Sequence, residues 1–274
     1  MNREGLHRTV RVDEAMGTRV SVHVVVRDDA PPLLGLEVDD AIERALAGLH
    51  EADWRFTPFC EESEIRRIAR GELSLDDAHP DVREVEQECR AALAATGGKF
   101  SAWWRGWFDP TGYVKGWAVD RAMDVHLAEL LELDGVVAVG VGVGGDLRLR
   151  ALPHSGWTWN VGIADPQVRG AVLATITLAD GAVATSGSAE RGAHIVDPRS
   201  GEPAVGVVSA TVVADTLARA DLWATTAVVS GADDLAWVRR AGTRSGLLVD
   251  AGGRTRRWAG ATEVTLVDAG VASL

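Results

Sequence analysis

The chain has 274 residues, of which 46% are hydrophobic and 25% charged, a composition typical of globular proteins with a sizeable core. Its formal net charge of −12 argues against nucleic acid or an anionic membrane surface as the main partner, because clustered Lys and Arg bind phosphates. No run of about 18 uncharged apolar residues is present, so membrane insertion is not expected. The first residues do not resemble a secretory leader, and we expect a cytoplasmic protein.

The first half of the chain is predicted to contain one strand and several helices. Residues Arg19–Val26 alternate between polar and apolar side chains and are rich in β-branched residues, which predicts a strand. Ser63 is a good N-cap for a short helix over Ser63–Ile68. Apolar residues at helical spacing predict three further helices, over Leu36–His50, Asp81–Ala95 and Val119–Leu131.

The second half is predicted to be mostly strands. The apolar run Val136–Val143 predicts a buried strand that ends at the glycines before Asp146. Uneven blocks of strands and helices favour an α+β fold over regular βαβ alternation, and the absence of a linker favours a single domain over residues 1–274. The other predicted strands are Trp157–Ile163, Leu173–Leu178, Val207–Val213, Leu247–Val249 and Val264–Val267, and the predicted helices are Leu217–Val229 and Asp233–Arg240.

Three residue types are informative because of their number or spacing. Cys60 and Cys89 are the only cysteines, too few for a disulfide framework or a zinc site, so we expect reduced thiols. Lys99 and Lys115 are the only lysines, which leaves two candidates for any site that needs an ammonium group. Three tryptophans crowd into Trp103–Trp107, and they form either a surface turn folded onto the core or an aromatic wall for a planar ligand.

Two glycine-rich segments are candidate anion sites. In the segment Asp109–Asp120, a turn rich in Gly and Pro is predicted to place Lys115 just ahead of a helix. The spacing does not fit a Walker loop, and an ordinary turn before a helix has the same composition. The segment Gly142–Asp146 matches a dinucleotide fingerprint only loosely, because a strand and not a helix follows it, and a β-turn is the alternative.

Two further clusters carry hydroxyl, imidazole and carboxylate groups. The hydroxyls and amides of Thr185–Ser188 could cradle a phosphate on a glycine loop, and His194 could be a general base or a structural histidine. Asp221 and Thr225 are spaced i and i+4 on one predicted helix, so their oxygens point the same way. Such hard ligands suit Mg²⁺, although a polar pair on a helix surface has the same pattern.

Taken together and in this order, these clusters resemble the ApbE-type flavin transferases, the FAD:protein FMN transferases. The resemblance extends from Met16 to Gly231 and is closest to the short members without a leader. It rests on seven short motifs: M-G-T at Met16–Thr18, S-E-I at Ser63–Ile65, K-G-x-A-V-D at Lys115–Asp120, G-G-D at Gly144–Asp146, A-T-S-G at Ala184–Gly187, H-I-V-D-P at His194–Pro198 and A-D-x-x-A-T at Ala220–Thr225.

The resemblance implies an α+β fold: a mixed α/β domain related to the T-fold, with antiparallel-rich sheets and flanking helices. It further implies that FAD lies in a cleft with Mg²⁺ on its pyrophosphate, and that the FMN half moves to a Thr or Ser hydroxyl of a target flavoprotein while AMP leaves. Asp221, Thr225 and the carbonyl near Gly112 would bind the metal. His194, as the base, and Asp221 would be catalytic. Contacts to FAD are implied for Met16, Lys115, Asp120, Gly145, Thr185, Ser186 and Gly187, with Asp120 accepting hydrogen bonds from the nucleoside.

Three positions depart from the family pattern. Ser101 stands where the family has the acid of G-x-F-D, Gly142 where it commonly has asparagine, and Ser188 where it often has an aromatic residue. Two alternatives to the transferase therefore stay open. One is an FAD pyrophosphatase that uses water as the nucleophile, and the other is a flavin-binding protein without turnover. Release of AMP from FAD would separate the enzymes from the binding protein.

Overall fold

A large antiparallel sheet organises the computed structural model, which describes residues 5–187 and 195–264. Within these residues nine strands pair in the order β1-β2-β3-β4-β7-β8-β9-β10-β11, and β5 and β6 form a separate hairpin. The strands are β1 (Leu6–Ala15), β2 (Thr18–Arg27), β3 (Val136–Val143), β4 (Asp146–Ala151), β5 (Trp159–Ala164), β6 (Val172–Leu178), β7 (Gly181–Ser186), β8 (Val207–Ala214), β9 (Ser245–Asp250), β10 (Thr255–Ala259) and β11 (Thr262–Val264).

Helices accompany the sheet, which confirms the expected α+β class with antiparallel sheets. The α-helices are α1 (Leu34–Phe56), α2 (Glu64–Ala69), α3 (Pro80–Thr96), α4 (Thr111–Ala122), α5 (Leu217–Ser230) and α6 (Val238–Ala241). A π-helical segment (Met123–Leu127) and a 3₁₀ segment (Ala128–Glu132) continue α4. Ser63 caps α2 as predicted, because its side chain accepts a hydrogen bond from the amide of Arg66. In the described part of the chain, no helix is both long and apolar enough to cross a membrane.

Two apolar layers cover the faces of the sheet. Strand β3 is buried along its whole length, as its glycine-punctuated apolar run predicts. The main hydrophobic cluster joins one face of β2 and β3 to the helices and extends from Ala15 to Trp258. On the other face, Trp159 of the β5–β6 hairpin packs with Val25 and Val137. This arrangement places the hairpin across the outer face of the sheet.

Helix α4 begins at Thr111, well before the predicted start at Val119. The carboxylate of Asp109 accepts hydrogen bonds from the amide and hydroxyl of Thr111 and so fixes the start of this helix. Gly116 lies within it because a Cβ there would be 2.6 Å from the Cα of Ala218 on α5. Gly116, one of the glycines that indicated a turn, therefore serves close packing between two helices.

Other predicted elements also differ from the observed ones. Strands β1, β7 and β10 were not predicted. The predicted helix Asp233–Arg240 is reduced to the short helix α6, which begins only at Val238. Before it, the Asp234 carboxylate accepts a hydrogen bond from the amide of Ala236 in a turn. Of the predicted strand Val264–Val267, Val264 ends β11 and the other residues lie outside the described part of the chain.

Candidate active site

A cavity of about 1470 Å³ opens where several connections meet. Its walls include the β1–β2 turn, the residues after α1, the start of α4, the β3–β4 turn, the end of β7 and the middle of α5. The tip of the β5–β6 hairpin closes one side with Asp165, Gln167 and Arg169. Pockets for small ligands typically have volumes of about 300–1,000 Å³, so this cavity has room for a ligand as large as a dinucleotide.

Three charged side chains from three different elements meet in this cavity. The Nζ atom of Lys115 on α4 contacts Oδ2 of Asp146 and lies 3.2 Å from Oδ2 of Asp221 on α5. Asp146 is the first residue of β4 and follows a tight turn in which Gly144 and Gly145 have positive φ angles of 54° and 96°. The turn therefore brings a carboxylate, almost fully buried, against the ammonium group of α4.

The electrostatics of this centre follow from two carboxylates sharing one ammonium group. Burial by itself lowers the pKa of Lys115, but Asp221 and Asp146 outweigh burial and raise it, so Lys115 is a cation at neutral pH. Burial and the nearby Asp221 raise the pKa of Asp146 to about 6, although Lys115 acts in the opposite direction. One ammonium group cannot fully neutralise two buried carboxylates, and the centre retains negative charge.

The segment Thr185–Gly187 is the end of a strand and the residue after it, not the predicted glycine loop. The amide of Thr185 donates to Oδ1 of Asp146 at 2.8 Å, so it is not available to a phosphate. The Oγ atoms of Ser186 and Thr225 lie 3.1 Å apart. Gly187 permits close strand packing, because a Cβ there would be 2.2 Å from the carbonyl oxygen of Val208.

The oxygen donors expected to hold a metal all line the cavity. Asp221 and Thr225 lie on one face of α5, and Gly112 lies in the first turn of α4. No group of three or more His, Cys, Asp and Glu side chains suited to a metal ion occurs in residues 5–187 and 195–264. A carboxylate, a hydroxyl and a carbonyl are nevertheless hard donors that fit Mg²⁺, which usually keeps waters and substrate phosphates in its shell.

Most of the residues expected to contact FAD line this cavity, with two corrections. The cavity-lining residues are Met16, Lys115, Gly145, Thr185, Ser186 and Gly187. Lys115 lies in the second turn of α4, not ahead of a helix as predicted. Asp120 does not line the cavity. His194 and Ser188 lie outside the described residues.

Asp120 connects α4 to the start of α5. Its Oδ1 and Oδ2 atoms accept hydrogen bonds from the amides of Leu217 and Ala218, each at 2.8 Å, and Arg148 lies 3.4 Å from Oδ1. A carboxylate in this place satisfies two otherwise unpaired donors at the helix N-terminus and matches the helix dipole. The structure therefore gives Asp120 a capping role in place of the expected nucleoside contact.

Aromatic side chains form part of the cavity wall. Phe59 is 94% exposed and lines the cavity, as does Trp104, which is 40% exposed. Trp103 stacks on Phe108 with ring centroids 5.4 Å apart, and it packs against the core together with Trp107. Each interpretation of the tryptophan cluster therefore describes part of it, because one ring faces the cavity while two support the fold.

Ser101, one of the departures from the family pattern, begins this aromatic turn. Its hydroxyl accepts a hydrogen bond from the amide of Trp103 at 3.1 Å. A serine oxygen is suited to this local capping, as the side chain of an aspartate would be. The replacement is therefore compatible with the turn that carries Trp104 into the cavity wall.

Three residues of the site were not among the predicted site residues. Asp146 belongs to the G-G-D motif, but the sequence does not indicate that it pairs with Lys115. The Asp53 carboxylate accepts a hydrogen bond of 2.7 Å from the amide of Met16. This bond holds Met16 in the β1–β2 turn with a φ angle of 54°. Phe59 carries no motif signal, and only its exposure at the cavity identifies it.

Comparison with protein families and known proteins gives one consistent result. A model of the ApbE family matches residues 105–248, which is more than half of the chain. The FAD:protein FMN transferase of Escherichia coli (strain K12) is 33% identical over 155 residues, covering 53% of this chain and 43% of that protein. The protein of the same name from Salmonella typhimurium is 36% identical over 145 residues, covering 49% and 39%. The matches thus span less than half the length of these relatives.

Solved structures show the same fold. The ApbE protein of Thermotoga maritima is similar with a TM-score of 0.73 and 24% identity, covering 92% of this chain and 97% of that one. The flavin transferase ApbE of Vibrio cholerae is similar with a TM-score of 0.73 and 19% identity, covering 93% and 97%. These likenesses confirm the expected ApbE-like fold.

Proposed function

The chain belongs to the ApbE family, and from this premise we propose that it is an FAD:protein FMN transferase. It transfers the FMN half of FAD to a Thr or Ser hydroxyl of a target flavoprotein and releases AMP. The observation that carries this proposal is that Lys115, Asp221 and Thr225 line one and the same cavity, beside exposed aromatic rings. The relatives named FAD:protein FMN transferase support the choice of reaction.

Asp221, Thr225 and the carbonyl of Gly112 are the proposed ligands of Mg²⁺. When bound, Mg²⁺ supplies a Lewis acid that neutralises charge on the pyrophosphate oxygens. Asp221 is the strongest of the three donors because it is the only anion among them. The hydroxyl of Ser186 contacts the hydroxyl of Thr225 and so orients the Thr225 oxygen.

The proposed reaction is a substitution at the phosphorus of the FMN half. The acceptor hydroxyl oxygen forms a bond to this phosphorus while the bond to the bridging oxygen breaks, and AMP leaves with that oxygen. His194 is the proposed base that takes the hydroxyl proton. A His194→Ala protein should bind FAD but transfer FMN much more slowly, and an unchanged transfer rate would remove His194 from the mechanism.

The other cavity residues are proposed to bind the substrate. The Lys115 ammonium group lies where it can attract the pyrophosphate. Phe59 and Trp104 offer aromatic faces on which the flat isoalloxazine ring can stack. The backbone turns at Met16 and Gly145 shape the cavity so that the ligand can approach the main chain closely.

We also infer that residues 1–274 work as one domain in the cytoplasm. The main hydrophobic cluster, which joins Ala15 in the first hairpin to Trp258 in β10, supports the single domain. Cys60 and Cys89 are both free thiols, which supports a reducing compartment.

The first experiment supplies the purified protein with FAD and Mg²⁺ and follows binding by calorimetry and products by chromatography. Candidate flavoproteins are then added as acceptors, and covalent FMN is detected by gel fluorescence and by mass. The transferase predicts AMP release together with acceptor labelling, and both should be lost in Asp221→Asn. The matched control is Asp233→Asn, which removes an exposed carboxylate outside this cavity.

Three other outcomes are informative. AMP and free FMN without an acceptor would indicate a pyrophosphatase. Tight FAD binding without AMP, even with acceptors, would indicate a binding protein without turnover. No binding of FAD at all would overturn the proposed function.

A further inference from the structure

The ammonium group of Lys115 contacts the same carboxylate that the proposed function assigns to the metal. We propose that Lys115 competes with the divalent cation for Asp221, so that metal binding displaces the ammonium group from Asp221 while Asp146 retains it. This exchange rests on the proposed metal site, and it makes Asp146 a positioning residue for Lys115.

The distances show why the two cations compete. The Nζ atom lies 3.2 Å from Oδ2 of Asp221. A divalent cation bound to this carboxylate would lie about 2.0–2.1 Å from an oxygen, if it is Mg²⁺. Both positive charges would then share one carboxylate within a few ångströms, in a partly buried site where their repulsion is weakly screened. The lysine side chain can relieve this repulsion, because its four-carbon stem is flexible.

Asp146 offers the displaced ammonium group a fixed partner. Its Oδ2 atom is already in contact with Nζ, and its Oδ1 atom is held by the amide of Thr185. The Asp146 side chain is only 4% exposed, and its hydrogen bond from the amide of Thr185 fixes the orientation of the carboxylate. After the exchange Lys115 would remain beside the substrate, and Asp221 would become available to the metal.

The chain contains a matched control for this proposal, since its only other lysine lines the same cavity. The Lys99 side chain is 11% exposed, against 24% for Lys115, and its Nζ atom contacts Asp234 at 2.5 Å and Ser230 at 2.9 Å. Replacing either lysine by methionine removes one positive charge from the cavity. Only the replacement of Lys115 removes a competitor from Asp221.

The test titrates flavin-free protein with Mn²⁺ alone and measures free Mn²⁺ by electron paramagnetic resonance. Lys115→Met should bind Mn²⁺ at least tenfold more tightly than the unchanged protein, while Lys99→Met should stay within about twofold. Equal affinity of the Lys115→Met and unchanged proteins would overturn the exchange, as would the absence of binding in both. Thermal unfolding of each variant verifies that it is folded.

A second measurement does not depend on the variants. In a crystal structure of the unchanged protein loaded with Mn²⁺, Nζ should lie more than 4 Å from both Asp221 oxygens and remain in contact with Asp146. A metal on Asp221 beside an intact contact with Lys115 would overturn the exchange. Failure of the proposed function is recognised separately, because the FAD assay would then yield no AMP whichever result the Mn²⁺ experiments give.

Discussion

Replacing Asp120 by alanine should destabilise the protein strongly without a direct effect on FAD. The carboxylate caps α5 through the amides of Leu217 and Ala218, and α5 carries Asp221 and Thr225. A capping residue and a nucleoside ligand predict different results for this variant. Loss of a cap lowers the free energy of unfolding, whereas loss of a ligand lowers only the affinity for FAD.

The size of the effect follows from the two hydrogen bonds. A hydrogen bond to a charged group contributes about 1.5–3 kcal/mol, and an orphaned buried donor costs about 1–3 kcal/mol. Desolvation offsets part of this contribution: burial raises the pKa of Asp120 even though both amides and Arg148 lower it. We therefore expect Asp120→Ala to lose about 2–4 kcal/mol of unfolding free energy. Asp120→Asn, with one acceptor oxygen, should lose less.

Urea unfolding at neutral pH, followed by fluorescence and circular dichroism, measures this difference. The matched control is Asp124→Ala, which removes an exposed carboxylate 2.7 Å from Arg150 and should cost less than about 1 kcal/mol. A loss below about 0.5 kcal/mol in Asp120→Ala, accompanied by weaker FAD binding, would refute the capping role and restore the nucleoside contact.

Three further predictions follow from the packing, the exposure and the pKa of single residues. Gly116→Ala should cost about 2 kcal/mol or more in urea unfolding, because its Cβ would lie 2.6 Å from the Cα of Ala218, whereas Gly35→Ala in α1 meets no atom within 4 Å and should cost nothing. Phe59→Ala should raise the Kd for FAD about fivefold to tenfold in calorimetry, with unfolding unchanged because the ring is 94% exposed; an unchanged Kd would exclude stacking on Phe59. Burial and Arg8 lower the pKa of His23, so the unfolded chain binds the proton first as the pH falls below 6.5. The free energy of unfolding of the unchanged protein should therefore fall as the pH falls below 6.5, and that of His23→Gln should fall less. Urea unfolding at a series of pH values measures both, and equal pH dependence of the two proteins would contradict the prediction.

Local patterns were sufficient to predict part of the site. The i and i+4 spacing placed Asp221 and Thr225 on one helix face, and both line the cavity. The strand Arg19–Val26 and the buried strand Val136–Val143 were predicted because their apolar patterns are long and regular. The cap at Ser63 was predicted because a helix N-terminus has a strong local preference.

The remaining features depend on contacts between residues far apart in the chain. The local composition predicts a loop at Thr185. In the structure Thr185 lies in a strand, because β7 pairs with β8 and the carboxylate of Asp146 accepts a hydrogen bond from the Thr185 amide. The early start of α4 also cannot be predicted from the local sequence, because a glycine at position 116 is favourable only where α5 packs closely against α4. Asp120 lies near Lys115 in a shared motif, and only the structure separates a residue that holds α5 from one that faces the cavity.

The charges around the cavity bear on how an acidic chain can hold a pyrophosphate. Three cations in the cavity wall are already paired with carboxylates: Lys99 with Asp234, Lys115 with Asp146 and Asp221, and Arg105 with Asp109. Among the described residues that line the cavity, Arg169 alone is a cation without an ion pair. Since one exposed arginine supplies little of the charge that two phosphates require, the proposed Mg²⁺ would provide most of it. The exchange at Asp221 would add the ammonium of Lys115, because that group gives up one of its two carboxylates when the metal binds.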